Sequence, residues 1–582
     1  MFQYTISPQA HTHLWLITLS YEHLSGSLNQ IKLANWVAGS YMIRDFSRHI
    51  VHIEATRNGE PIHIVQINKN TWQLPETNGV YQIHYTIYAN DLSVRASLLD
   101  TQRGFIDGAC LFLYQPNRCN EPCHVQFFRL PESWQVHTTL PRLSETSFQA
   151  ANYAELIDHP FELGANLEVL SFNANGITHR MVLSGYYPDF DRERLITDCI
   201  KICEYELQFF PNPAPFQEYL FLLHLGDHIY GGLEHISSTA LHADRHALPK
   251  KGMADANAAY TELLGLIAHE YFHAWNVKSI KPTKFQPYDL EKEIYTEQLW
   301  AYEGITSYYD DLILVRSGVI SVSNYLNLLA NNITRVHRNA GRKRQTLAQS
   351  SFCAWHKYYK QDENSPNAIT SYYQQGALFA LCLDIIIRAN SEHNLDSIMK
   401  ALYQYYVNTG KGTDEGEWQK FAIEITGLNL TDFFQLGLYS TQDLPLEACL
   451  ESVGVELQWL PENRSAGNGK LVTEFPEIAP QPELGCRYQQ QADGAVISQV
   501  FSNGSAEFAT LKPNDKVIAV DGFACTDFAA QTQTAVGDLH TLHFFRQGVL
   551  LQTDLTVQAA PANTAYLKMT DTELLKKWLF NQ

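Results

Sequence analysis

The chain has 582 residues, a formal charge of −20, and a composition that is 45% hydrophobic and 12% aromatic. This excludes a disordered chain and leaves room for three or four domains around a large core. The acidic balance argues against a nucleic-acid or anionic-membrane partner, whose capture needs clustered Lys and Arg.

Residues 1 to about 165 read as β-rich. Runs at 13–20, 80–89 and 125–129 carry β-branched and aromatic residues between Asn, Gly and Pro turn signals, the spacing of a sandwich-like domain. From about 166 to 445 the pattern becomes mostly helical after a strand at 219–225. Apolar residues at three- and four-residue spacing predict helices over 258–275 and 295–314, and 376–388 is apolar nearly all round, as a core helix is. Pro, Gly, Asn and Ser cluster near 446–480, and short strands return at 496–500, 516–520 and 541–545. Thr570 and Glu573 have the spacing of a capping box, which predicts a short helix over 570–580. The expected domains are 1–165, 166–445 and 446–560, followed by a helical tail, 561–582. No run approaches the roughly 18 apolar residues of a membrane span. The first ten residues lack the basic region and apolar run of a secretory signal, so a cytoplasmic location is expected. Ten cysteines are too few for a disulfide scaffold, and the Cys119, Cys123 and Cys199, Cys203 spacings fit buried thiols better than a zinc knuckle.

The sharpest chemical signal is His269-Glu270-Tyr271-Phe272-His273. On a helix, positions i and i+4 share a face, so both imidazoles can reach one cation. Glu270 lies one step round, beside the ion, where a carboxylate can take a proton from water. Pro282 and Pro287 end that helix and let the chain return. The next helical segment carries Leu299-Trp300-Ala301-Tyr302-Glu303-Gly304, whose carboxylate is the candidate third ligand of a zinc site.

With these motifs the chain resembles the gluzincin metallopeptidases, the group of thermolysin and aminopeptidase N. Gly231-Gly232-Leu233-Glu234-His235 is similar to the substrate-binding strand of the aminopeptidase N branch. Ser371-Tyr372-Tyr373-Gln374-Gln375-Gly376 is similar to that branch's catalytic-tyrosine segment. The block from Trp36 to Phe46 and a PDZ-like segment at 493–522 narrow the resemblance to the glycyl aminopeptidase family. The resemblance implies a multidomain chain: a β-rich N-terminal domain, an α+β, mostly helical thermolysin-like catalytic domain, and a C-terminal PDZ-like β domain. It implies one zinc ion held by His269, His273 and Glu303, with Glu270 as general base. Tyr373 would stabilise the oxyanion, with Tyr372 the alternative if the register slips. Gly231, Gly232 and Glu234 would bind substrate, and Glu234 would pair with the free α-amino group of a peptide. Removal of small N-terminal residues, Gly and Ala, is the implied reaction. Leu484-Gly485 is the candidate cradle for a peptide C-terminus at the PDZ-like domain. Two departures stand out: 29 residues separate His273 from Glu303, and Gln375 stands where relatives often carry Lys. A zinc endopeptidase and a non-catalytic peptide-binding scaffold are the rival readings.

Overall fold

The computed structural model of the chain describes residues 1–465 and 467–580. Two compact units divide it: Met1–Ile294 with Ser317–Val319 and Leu402–Asp414, and Tyr295–Arg316 with Ile320–Ala401 and Glu415–Gln582.

The first unit opens with a large sheet. Its central strands Phe2–Gln9, Leu14–His23 and Gly79–Tyr88 pair antiparallel, and Cys123–Phe127 adds to Phe2–Gln9 in parallel. Period-2 patterning aims these strands inward: Phe2, Tyr4, Ile6, Trp15, Ile17, Leu19, Tyr81, Ile83 and Tyr85 are buried, while their neighbours face out. A smaller sheet containing Arg103–Ile106 and Phe161–Gly164 contributes Phe105, Ile106, Phe161 and Leu163 to the same core. Between those two strands, Arg103 forks onto the buried carboxylate of Glu162 with two bonds of 2.8 Å.

A second sheet of this unit positions the chemistry. Its order is Glu168–Ala174, Ile177–Gly185, Glu218–Gly226, Ser238–Asp244, Gly231–Glu234. The middle three strands are parallel, and helix Arg192–Phe209 makes one crossover between them. Gly231–Glu234 pairs antiparallel with Ser238–Asp244 and forms the edge. Val182, Leu220, Leu222, Leu233 and Ala240 extend the core of the first sheets, so this edge strand is anchored from behind.

The second unit is helical, then β. Gln374–Asn390 lies at its centre and is buried along nearly its whole length, as its apolar sequence predicts. The expected helix over 295–314 is shorter: a π turn, Trp300–Gly304, leads into Ile305–Arg316. A separate β core follows, with strands Cys486–Gln491, Gly494–Val500, Lys516–Val520, Leu539–Arg546 and Val549–Thr556 around Ile497, Val517, Leu542, Phe544 and Phe528. The last helix is Thr572–Phe580, and its cap differs from the expected Thr570. The Asp571 carboxylate accepts from the amides of Glu573 and Leu574, because a carboxylate one residue before the helix reaches both. No helix among the described residues is long and apolar enough to cross a membrane.

Candidate active site

The motif helix of the first unit, Ala258–Phe272, begins at Asn257, whose side chain accepts the Tyr260 amide at 2.9 Å. Tyr271, in the middle of the motif, points into an aromatic cluster. Its ring meets Tyr219 edge-on at 4.6 Å and lies near Phe216, Phe221 and Trp275, and its hydroxyl bonds the His179 ring at 2.8 Å. This locks the rotation of the helix, and the helical period then turns His269 and His273 together to the other side.

The two imidazoles stand nearly perpendicular, centroids 4.6 Å apart, with Nε2 atoms at 3.1 Å. Nδ1 of His273 lies 2.6 Å from the main-chain carbonyl of Asn276. A carbonyl only accepts, so the ring hydrogen is on Nδ1 and the lone pair is on Nε2, facing His269. Two ring nitrogens converging in this way fit a cation with tetrahedral N ligands, and the Asn276 carbonyl is the orienting partner such a ligand needs.

The edge strand packs against this helix. A Cβ at Gly232 would overlap the Glu270 carboxylate, so the carboxylate rests directly against the strand backbone. Two residues on, the Glu234 carboxylate rests in the same way against Gly39, which has φ +90°. Single ligand atoms of Glu234, Glu270 and His273 all lie within 4.8 Å of one another, and all three side chains are buried. Behind Glu234, the Lys278 ammonium contacts Asp158 at 2.6 Å, and His235 contacts the same carboxylate at 3.2 Å. Burial alone would raise the Asp158 carboxyl, but Lys278 and His235 outweigh it and hold it well below the carboxylate range. Burial and the neighbouring Lys278 charge push Lys281 down to about 8, against the pull of Asp158 and Glu234. Sequence reasoning missed Gly39, Asp158 and this lysine pair. Gly39 lay inside the Trp36 block, whose role there is now physical.

In the second unit, the π turn places Glu303 among buried side chains, 2% exposed. π turns recur at functional sites because the extra residue re-aims a side chain. Trp300 fixes the turn: its amide donates to Ser351 Oγ at 3.0 Å, and its ring packs against Phe379 and Trp418. Gly304 and Gly376 cross backbone to backbone. A Cβ on either would meet the other's Cα at under 3 Å, and one on Gly304 would also strike the Tyr372 carbonyl. This explains the glycine in each of the two motifs. Tyr372 is wholly buried, whereas Tyr373 stacks on it at 4.6 Å and is half-buried. Burial, then the Glu303 carboxylate, push the Tyr373 phenol well above its usual range, so it keeps its proton as a hydrogen-bond donor. Gln375, the departure from the resembled pattern, is buried and accepts a hydrogen bond from the Thr370 hydroxyl.

Residues 3–165 match the Peptidase M61 N-terminal domain, and residues 262–379 match M61 glycyl aminopeptidase. Among solved structures, an aminopeptidase N family protein from Idiomarina loihiensis is 38% identical and superposes with a TM-score of 0.93 over 100% of both chains. A variant of the M1 zinc metallopeptidase from Deinococcus radiodurans, bound to Tyr-Ser-Ala, is 12% identical. It covers 76% of this chain and 94% of its own, at a TM-score of 0.48, too distant a likeness to carry an argument. No curated protein matches. The full-length relative, together with the two matched segments, shows that this chain belongs to the M61 glycyl aminopeptidase family, a family of peptidases.

Proposed function

We propose that this protein is a zinc aminopeptidase of the cytoplasm that removes small N-terminal residues, glycine and alanine, from peptides. One zinc ion would be held by His269, His273 and Glu303, and when bound it supplies Lewis-acid polarisation of the scissile carbonyl and an acidified water. The observation that carries the reading is the His269–His273 pair, with its tautomer set by the Asn276 carbonyl and Glu270 beside it.

Glu270 acts as general base. Its carboxylate, pressed against Gly232, takes a proton from the attacking water and delivers it to the leaving amine nitrogen. Tyr373 donates its phenolic hydrogen to the oxyanion that develops on the carbonyl oxygen. Glu234 pairs with the charged α-amino group, and Gly231 and Gly232 let substrate backbone approach the edge strand. That carboxylate is the physical reason for exopeptidase action: it favours a charged N-terminus at the closed end of the strand. The preference for glycine follows the family's own name, and the extension to alanine rests on the family resemblance. We further assign the division into domains 1–165, 166–445 and 446–560 with tail 561–582, a thermolysin-like fold to the second, and a PDZ identity to the third, with Leu484-Gly485 as its peptide C-terminus cradle.

Metal analysis with paired kinetics tests this reading. About one tightly bound zinc per chain and hydrolysis of a free glycyl substrate, but not of its N-acetylated form, are expected. Equal rates on both would make the protein an endopeptidase, and absence of both zinc and hydrolysis would leave a scaffold.

A further inference from the structure

Arg95 reaches the edge strand at the end away from Glu234. It comes from the N-terminal β region, is half-buried, and its Nη2 donates to the Gly232 carbonyl at 2.8 Å. A Cβ on Gly231 would stand 3.8 Å from its Nη1. Its Nε is buried and has no hydrogen-bond partner, and among the described residues no carboxylate lies within ion-pair distance of this guanidinium. The contrast with its neighbours is sharp, since Arg103 is paired with Glu162 and Arg245 with Asp227. In a chain of charge −20, a half-buried guanidinium without a counter-ion is a site for an external anion.

The register says which part of a substrate meets it. The His235 amide bonds the Ser238 carbonyl at the hairpin. Antiparallel alternation then makes Leu233–Ala240 and Gly231–His242 the bonded pairs, so the main-chain groups of Gly232 and Glu234 point off the sheet edge. Arg95 occupies the Gly232 edge carbonyl, two residues or about 7 Å from Glu234 along the strand. With the α-amino group at Glu234 and the proton-transfer carboxylate of Glu270 against Gly232, Arg95 stands on the leaving-group side, within one or two residues of the cleaved bond.

We propose that Arg95 is a specificity-determining residue that pairs with the free α-carboxylate of short peptides and so favours di- and tripeptides as substrates. The inference rests on the aminopeptidase reading and on Glu234 as the amino-group partner. A guanidinium matches a carboxylate with two parallel hydrogen bonds, and its bond to the Gly232 carbonyl fixes the orientation of the plane. The same bond closes that carbonyl to a longer peptide chain that would otherwise continue pairing along the edge.

The zinc-loaded full chain is assayed on Gly-Phe, Gly-Phe-amide and Gly-Asp-amide. The expected kcat/KM for Gly-Phe exceeds that for Gly-Phe-amide by about 10- to 100-fold, mostly through KM. Arg95→Gln brings this ratio close to one, and Arg95→Lys keeps part of it. A role confined to propping the Gly232 carbonyl would lower all three substrates together and leave the ratio intact, which overturns the proposal. So does a wild-type ratio near one, a measurement that holds even if the Gln variant does not fold. Gly-Asp-amide matching Gly-Phe would make the ligand an acidic side chain and overturn the short-peptide preference. Failure to hydrolyse any of the three would bring down the aminopeptidase reading itself, and this inference with it.

Discussion

The two units hold their candidate polar groups by different means. In the first unit, the helix period and one edge strand do the work: His269 and His273 share a face, His273 is oriented by a carbonyl three residues on, and Glu270 rests on Gly232. In the second unit, Glu303 and Tyr373 are placed by a π turn and by two glycines that let separate segments touch backbone to backbone. The first arrangement is local and depends on a single helix keeping its rotation. The second depends on packing between segments about 70 residues apart in sequence, so it is the more easily displaced by a change of volume.

Substitutions distinguish the two arrangements. Glu270→Gln removes the proposed base and leaves the helix untouched. A loss of about 10²- to 10⁴-fold in kcat with bound zinc retained is expected, and metal content measured beside turnover checks it. Tyr373→Phe is expected to lower kcat by about 10²-fold, whereas Tyr372→Phe changes stability more than turnover. If Tyr372→Phe gives the larger kinetic loss, the roles of the adjacent rings are reversed. Gly232→Ala pushes a methyl group onto the Glu270 carboxylate, with an expected loss of roughly 10²-fold and little change in melting temperature, because Gly232 needs no left-handed backbone. Gly304→Ala, by contrast, forces two backbones apart and is expected to destabilise the fold by about 1–3 kcal/mol, visible in denaturant melts.

The smallest effect concerns stability against pH. Asp107 is wholly buried in the first unit, where burial pushes its carboxyl up to about 7 despite a bond of 3.0 Å from the Ala109 amide. The folded state therefore binds more protons than the unfolded chain between pH 4 and 7, and stability falls as pH rises through that window. Asp107→Asn is expected to raise the melting temperature at pH 8 and not at pH 4. Equal shifts at both would show that Asp107 does not titrate in this range.

Much of this was legible in the chain. Runs of β-branched and aromatic residues between turn signals placed the N-terminal strands, and the run at 376–388, apolar but for Asp384 and Arg388, identified a buried helix. The i, i+4 histidines needed only the helical period. Other features were hidden for physical reasons. Thr570 fitted a capping pattern, yet Asp571, one residue nearer the helix, holds the amides. The helix expected over 295–314 starts later, since the ring of Trp300 and its bond to Ser351 shape a π turn. Arg95 lay in no motif and Gly39 had only its place in the Trp36 block, so both became notable only beside Gly232 and Glu234.

Periodicity and residue chemistry, which act over a few neighbours, were enough to put His269 and His273 on one helix face and to give each region its β or helical character. Only the tertiary structure decided which tautomer His273 holds, which glycines press on which carboxylates, and which arginine was left without a counter-ion. Those depend on distances between segments far apart in the chain, and no local pattern encodes them.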